Sequence, residues 1–365
     1  MKAAHLVEPV TGRVLTDQAV VIEGDRIKVV VAAADLARVI PPGASARTID
    51  LGGATLLPGL IDCHTHVTSQ PENFYEDLFR RSPIDEAITA HLYARRTLAA
   101  GFTTIRNVGS GSYAEVALKR FINQGLFPGP RIYTATKGLG ITGGHADING
   151  WSPDVPLRGY AQIVDGVDAI RHAVREQIKY GADLIKITAS GGVLSSGDSV
   201  HHEQYSEEEI RAAVEEAARL GRKVAAHAHA AKGIVNATRA GVASIEHGSL
   251  IDDLGIALMK QKGTYMVPTL YTLDFIIDEG KESGVPQYGI DKAREISRVQ
   301  RANLKKAYQA GVKFAYGTDA AVFPHGRNAR DFGILVDQLG VPPMEAIRMA
   351  TQYAADLIGI SDTAG

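Results

Sequence analysis

Six side chains carry the chemistry this chain could perform: His64, His66, Lys186, His227, His247 and Asp319, each at the end of a short apolar run. The first two close the segment LPGLIDCHTH, residues 57 to 66, with one residue between them. In extended chain, residues i and i+2 project from the same face, so both imidazoles can reach one ion. Neutral imidazole nitrogen and carboxylate oxygen suit Zn2+, and a catalytic site leaves an open position for water. A single His-x-His pair could be two polar residues at a strand end. The same placement six times over is different, because the C-terminal ends of barrel strands converge on one face. Lys186 is the odd member: a protonated amine cannot bind a cation, and taken singly it reads as a strand-end lysine in a salt bridge.

The elements that must position these groups alternate between strand and helix. Apolar, β-branched runs predict strands at LLPGLID (56 to 62), FTTIRNV (102 to 108), RIYTA (131 to 135), LIKITAS (184 to 190), KVAAHA (223 to 228), ASIEHG (243 to 248), TYMVPTL (264 to 270) and KFAYGTD (313 to 319). Helical periodicity fills the gaps, as in DGVDAIRHAVREQIKYG and SEEEIRAAVEEAARLG, the second opening on a capping box of Ser206 and Glu209. Glycines such as Gly241 and Gly263 stand between helix and next strand, where a left-handed C-cap is needed. Repetition of this unit predicts an α/β fold with parallel strands, and eight strands over roughly 250 residues fit a (β/α)8 TIM barrel, residues 56 to 365. Residues 1 to 55 lie outside the rhythm. There AVVIEGDRIKVVV reads as a hairpin across Gly-Asp and ARTIDLGGATLLPG as a further strand, giving a small β subdomain.

Composition narrows the function classes. With 39 Lys+Arg against 41 Asp+Glu the net charge is -2, so there is no electrostatic footprint for nucleic acid or an anionic membrane. No run approaches the ~20 apolar residues of a membrane span. The opening MKAAHLVEPV has the make-up of a poor signal peptide, and one cysteine, Cys63, excludes an internal disulfide framework; a reducing, cytoplasmic setting is expected. Cys63 alternates with the histidines and should point away from them as a small core residue. His201 and His202, in the polar stretch DSVHHEQYS, read as a solvated rim, and Glu207, Glu208 and Glu209 as a helix start favoured by the dipole.

HTH at 64 to 66, a lysine ending strand four, histidines ending strands five and six and an aspartate ending strand eight resemble the metal-dependent amidohydrolase superfamily, from about residue 15 onward. The phrases TGGHAD (142 to 147), IKITASGGVLS (185 to 195), AAHAHAAKGI (225 to 234) and SIEHGS (244 to 249) look most like its dipeptidase branch, which includes prolidase-like, Xaa-Arg/Lys dipeptidase and ochratoxin-hydrolysing enzymes. The resemblance implies two Zn2+ ions, other divalent metals being possible. His64, His66 and Asp319 would hold one, His227 and His247 the other, with Lys186, carboxylated by CO2, bridging them. Such a pair polarises a carbonyl and activates water, while Asp319 would carry the proton to the leaving amine. His145, in the loop after strand three, would contact the substrate carbonyl or carboxylate, and His229 would help bind the substrate. Prolidase-like relatives tend to have a tyrosine at that last position, so His229 is a departure that weakens a strict Xaa-Pro reading. In the superfamily the small β unit is a sandwich built from both termini. The chain runs to SDTAG directly after the predicted helix MEAIRMATQYAADLIGI, so residues 1 to 55 are expected to be the N-terminal half, lacking C-terminal strands, with exposed edges and apolar surface.

The expected protein is therefore a binuclear zinc amidohydrolase cleaving an amide next to a carboxylate, in a dipeptide or N-acyl amino acid, with ochratoxin-like amides also possible. A homo-oligomer is the expected state. An imidazolonepropionase-like cyclic amidohydrolase is the first alternative, against which Lys186 counts because that site is mononuclear. A lactonase or phosphotriesterase-like hydrolase would share the metal centre. A non-catalytic binding barrel would not need all six ligand-type residues.

Overall fold

The computed structural model describes every residue except Pro42, Phe74, Tyr75, Leu78, Phe79, Pro156 and Arg158. The chain divides into two compact units, Met1–Gly59 and Leu60–Gly365. In the first, strands β1 (Lys2–Glu8), β2 (Arg13–Glu23), β3 (Arg26–Ala32) and β4 (Thr55–Leu56) form one sheet in the order β3-β2-β1-β4. The β2–β3 hairpin turns at Gly24, whose φ of 62° is the left-handed conformation such a tight turn requires. Ala3, Val7, Ala19 and Val20 are buried, while Ile22, Ile27 and Val30 are exposed.

Among the described residues, the large unit holds nine further strands. A three-stranded parallel sheet runs β5 (Leu60–Thr65), β6 (Phe102–Asn107), β7 (Arg131–Thr134). A six-stranded one combines β8 (Gly138–Gly140), β9 (Ala161–Ile163), β10 (Leu184–Thr188), β11 (Lys223–Ala228), β12 (Ser244–His247) and β13 (Tyr265–Val267) in the order β13-β12-β11-β10-β8-β9, all parallel. Backbone bonds link the two sheets. Asp183 N donates to Thr134 O at 2.7 Å, and the extended segment 313–320 runs between β13 and β5. On one side Met266 N meets Lys313 O at 2.8 Å; on the other Cys63 N meets Tyr316 O at 2.8 Å and Asp319 N meets His64 O at 2.7 Å.

These strands lie under helices, so both faces are apolar, as the fully buried LIKIT of β10 shows. Ile185, Ile187, Ala226 and Ile245 pack in one core with Ile170, Val174, Ile210 and Ile234 from the helices. The Ser206–Glu209 capping box forms at the start of helix Glu207–Arg219, and Gly241 and Gly263 close their helices in the left-handed conformation.

Two expected strands take a different form, and two short strands form where none was expected. The run at 56 to 62 splits at Pro58, which has no N–H to give a ladder, so Thr55–Leu56 pairs with β1 and β5 begins at Leu60. Beyond β7 the chain turns through Thr136, at φ 59°, into β8, which with β9 pairs where the sequence shows no β-branched run. The run at 313 to 319 is extended but irregular, with bridges at Phe314 and Ala320, because Thr318 N is bonded to the Asp62 side chain and Asp319 turns to φ 63°. Among the described residues no helix is long and apolar enough to cross a membrane.

Candidate metal centre

Because the strands are parallel, their C-terminal ends share one side of the sheet. There His64 and His66, Lys186, His227, His247 and Asp319 all line a cavity of about 210 Å3, together with His145 and His229. His66 and His229 lie just past the ends of β5 and β11. His247 and Asp319 reach inward from backbones at φ 71° and 63°. Left-handed conformations at residues with a Cβ cost of order 1–3 kcal/mol each, and they persist where surrounding contacts fix them.

The first cluster is His64, His66 and Asp319, each offering a ligand atom within 4.8 Å of the others. The direction of their hydrogen bonds is decisive. His64 Nδ1 lies 2.7 Å from Glu246 Oε2, and a carboxylate can only accept, so the proton is on Nδ1 and the lone pair on Nε2. His66 Nδ1 likewise donates to Gly109 O at 2.9 Å. Both lone pairs then face Asp319 Oδ1, at 3.5 and 3.3 Å. That oxygen is buried with no hydrogen-bond donor. Three acceptors converging without a proton among them is an arrangement a cation stabilises, and the donor set suits Zn2+.

The second cluster is His227, His229 and His247, again within 4.8 Å. His227 Nε2 donates to Gly191 O at 3.3 Å, His247 Nδ1 sits 2.6 Å from Thr269 Oγ1, and His229 Nδ1 2.9 Å from Ser249 Oγ. His229, read from sequence as a substrate contact, thus stands where it could also be a ligand. Burial lowers the pKa of these imidazoles, to about 4 for His64 and about 3 for His229 and well below the usual value for His227 and His247. At neutral pH all four are in the neutral, ligating form. Lys186 is buried beside them, and loss of hydration draws its amine down to about 8 against the opposing pull of Glu246 and Asp319.

His145 stacks on His227 with ring centroids 4.3 Å apart. Its Nδ1 is 2.7 Å from Ser195 Oγ, which donates to Asp198 Oδ1 at 2.7 Å, and Lys292 holds the same oxygen at 2.9 Å. The ring rests on Gly192, where a Cβ would come within 2.2 Å of it. The remaining expectations fall outside the cavity. Cys63 is fully buried in a separate apolar cluster, its thiol pushed up to about 12, and His201 pairs with Glu295 on the surface at 2.6 Å.

Sequence reasoning missed the groups behind the ligands. Glu246 is fully buried and also bonded to Arg106 Nη2 at 2.7 Å and to Ser244 Oγ at 2.5 Å. Asp62 accepts from Thr318 Oγ1 at 2.6 Å, Asn328 Nδ2 at 2.8 Å and His64 N at 3.0 Å, tying the segment that carries Asp319 to the strand that carries His64. A charge inside an apolar run, as in TTIRNV and SIEH, was the available signal.

Residues 55–365 match the amidohydrolase family, and the chain belongs to that family. It is 35% identical over 321 residues to the ochratoxinase of Aspergillus niger, across 83% of this chain; the match spans 65% of that relative's length. Two solved structures are similar over 100% of this chain and 89% of theirs, each 35% identical: a Xaa-Pro dipeptidase with bound methionine, TM-score 0.88, and a prolidase complexed with N-methylphosphonate-L-proline, TM-score 0.90. The chain thus lies in the dipeptidase-like branch, and its large unit has a TIM-barrel-like α/β fold.

Proposed function

We propose that the protein is a binuclear zinc amidohydrolase cleaving an amide bond next to a carboxylate, in a dipeptide or N-acyl amino acid, with ochratoxin-like amides in the same range. The observation that carries this reading is the pair of clusters, His64/His66/Asp319 and His227/His229/His247, lining one cavity with Lys186. The barrel would be a closed (β/α)8 with segment 313–320 as its eighth strand, preceded by the small β unit. When bound, the metals would polarise the amide carbonyl and make water nucleophilic near neutral pH.

His64, His66 and Asp319 would hold one ion and His227 and His247 the other. Lys186, as a carbamate, would lie between them. A pKa near 8 leaves about a tenth of the amine neutral at pH 7, far more than an ordinary lysine offers to CO2. Asp319 would take the proton from the attacking water and pass it to the leaving nitrogen. His145, held by Ser195, and His229, held by Ser249, would contact the substrate and fix its orientation. The relatives named dipeptidase, prolidase and ochratoxinase support the amide class. A screen of zinc-loaded protein against dipeptides and N-acyl amino acids tests it, with each good substrate repeated as its C-terminal amide. Turnover of acids over amides is expected. Hydrolysis of lactones or phosphotriesters with no amide cleaved would overturn the reading.

A further inference from the structure

The cavity has two kinds of wall. Beside the ligand cluster and polar groups such as Tyr160, Thr272 and Gln300, it is lined by Val193, Leu194, Leu273, Ile276, Val285 and Val322. These six belong to one hydrophobic cluster, formed by the loop after β10, the helix Tyr271–Asp278, Val285 with the start of the helix Gln287–Gln309, and Val322 just past Asp319. Apart from the imidazoles, the ionisable groups lining the cavity among the described residues are Lys186 and Asp319, both beside the ligand cluster, and the phenol of Tyr160, which burial pushes up to about 12 and so keeps uncharged. No residue outside the described set is acidic. The nearby carboxylates are engaged elsewhere, Asp198 by Lys292 and Glu246 by Arg106.

Resting on the function proposed above, we infer that the pocket selects amides bearing an uncharged, apolar side chain and discriminates against basic ones. An ammonium or guanidinium entering this wall would lose hydration without gaining a carboxylate. A leucine- or phenylalanine-sized side chain would instead bury its surface, which is worth ~10- to 100-fold in affinity.

Two measurements on the zinc-loaded protein test this. One is calorimetric binding of free L-leucine and L-phenylalanine against L-arginine and L-lysine; the other is kcat/KM for Gly-Xaa and Xaa-Gly dipeptides with the same four residues. Apolar ligands should bind at least ~10-fold more tightly, with the same preference in turnover at one of the two positions. Equal acceptance of basic residues in binding and at both dipeptide positions would overturn the inference and leave the amidohydrolase reading standing. Leucine bound over arginine with no dipeptide or N-acyl amino acid cleaved would uphold the inference and overturn that reading. Leu194→Glu, or Val285→Glu if the first does not fold, places a carboxylate in the wall and should shift selectivity toward arginine by ~10-fold or more. A folded variant with unchanged selectivity would count against the inference.

Discussion

Replacing Glu246 with Gln separates the role of the buried carboxylate in the fold from its role behind the metal ligand. Glu246 is fully buried, with His64 Nδ1 2.7 Å from Oε2, and Arg106 Nη2 at 2.7 and 2.9 Å from its two oxygens. A carboxamide keeps the shape but loses the charge, and either orientation points its NH2 at a donor. Leaving Arg106 buried without its counter-ion should cost ~3–5 kcal/mol of stability. His64 would lose its anionic acceptor, keeping at most the weaker carboxamide oxygen, and such a loss typically weakens metal binding ~10- to 100-fold. The assay is zinc titration of chelator-stripped protein against a chromophoric competitor, alongside a thermal melt. The double variant Arg106→Met, Glu246→Leu removes both charges and should recover much of the stability while zinc binding stays weak. Unchanged zinc affinity in Glu246→Gln, or recovery of both quantities in the double variant, would refute the assignment.

Lys186→Ala should abolish turnover and weaken metal binding, with a short carboxylic acid in the medium partly restoring both; full turnover in the variant would exclude a carbamate. Asp319→Asn should lower kcat by ~100-fold or more, with metal content falling less than activity; normal turnover would place proton transfer elsewhere. The metal-free protein should lose stability as pH falls below about 6.5 toward 4. His64, His145, His227, His229, His247 and His325 have pKa values lowered by burial, so the unfolded chain binds more protons in that window. Asp62, Glu115, Asp331 and the less buried Asp77 and Asp274, raised by burial, act in the opposite sense, and six against five leaves acid destabilisation narrowly ahead, by ~1.4 kcal/mol per pH unit for each net proton. A melting temperature that is flat or rises from pH 6.5 to 4.5 would contradict this.

Most of the strands were legible because strands buried on both faces are continuous apolar runs, as LIKIT and KVAAHA show. The six ligand-type residues were legible for a related reason. A polar side chain ending such a run has few structural uses, and parallel order brings all the ends to one side. Helix ends were written locally, in the Ser206–Glu209 box and in Gly241 and Gly263. What tertiary structure decided depends on pairs far apart in the chain. β8 is a strand because β10 offers it an edge and β9 because β8 does, and 313–320 is irregular because Asp62, more than 250 residues away, takes its backbone donor. Glu246 behind His64, Ser195 behind His145 and the apolar wall facing the ligands are likewise contacts between separate segments. The sequence by itself determined that imidazole, amine and carboxylate groups end the apolar runs. Only the fold determined which nitrogen each histidine presents, since that follows from the partner bonded to its other nitrogen.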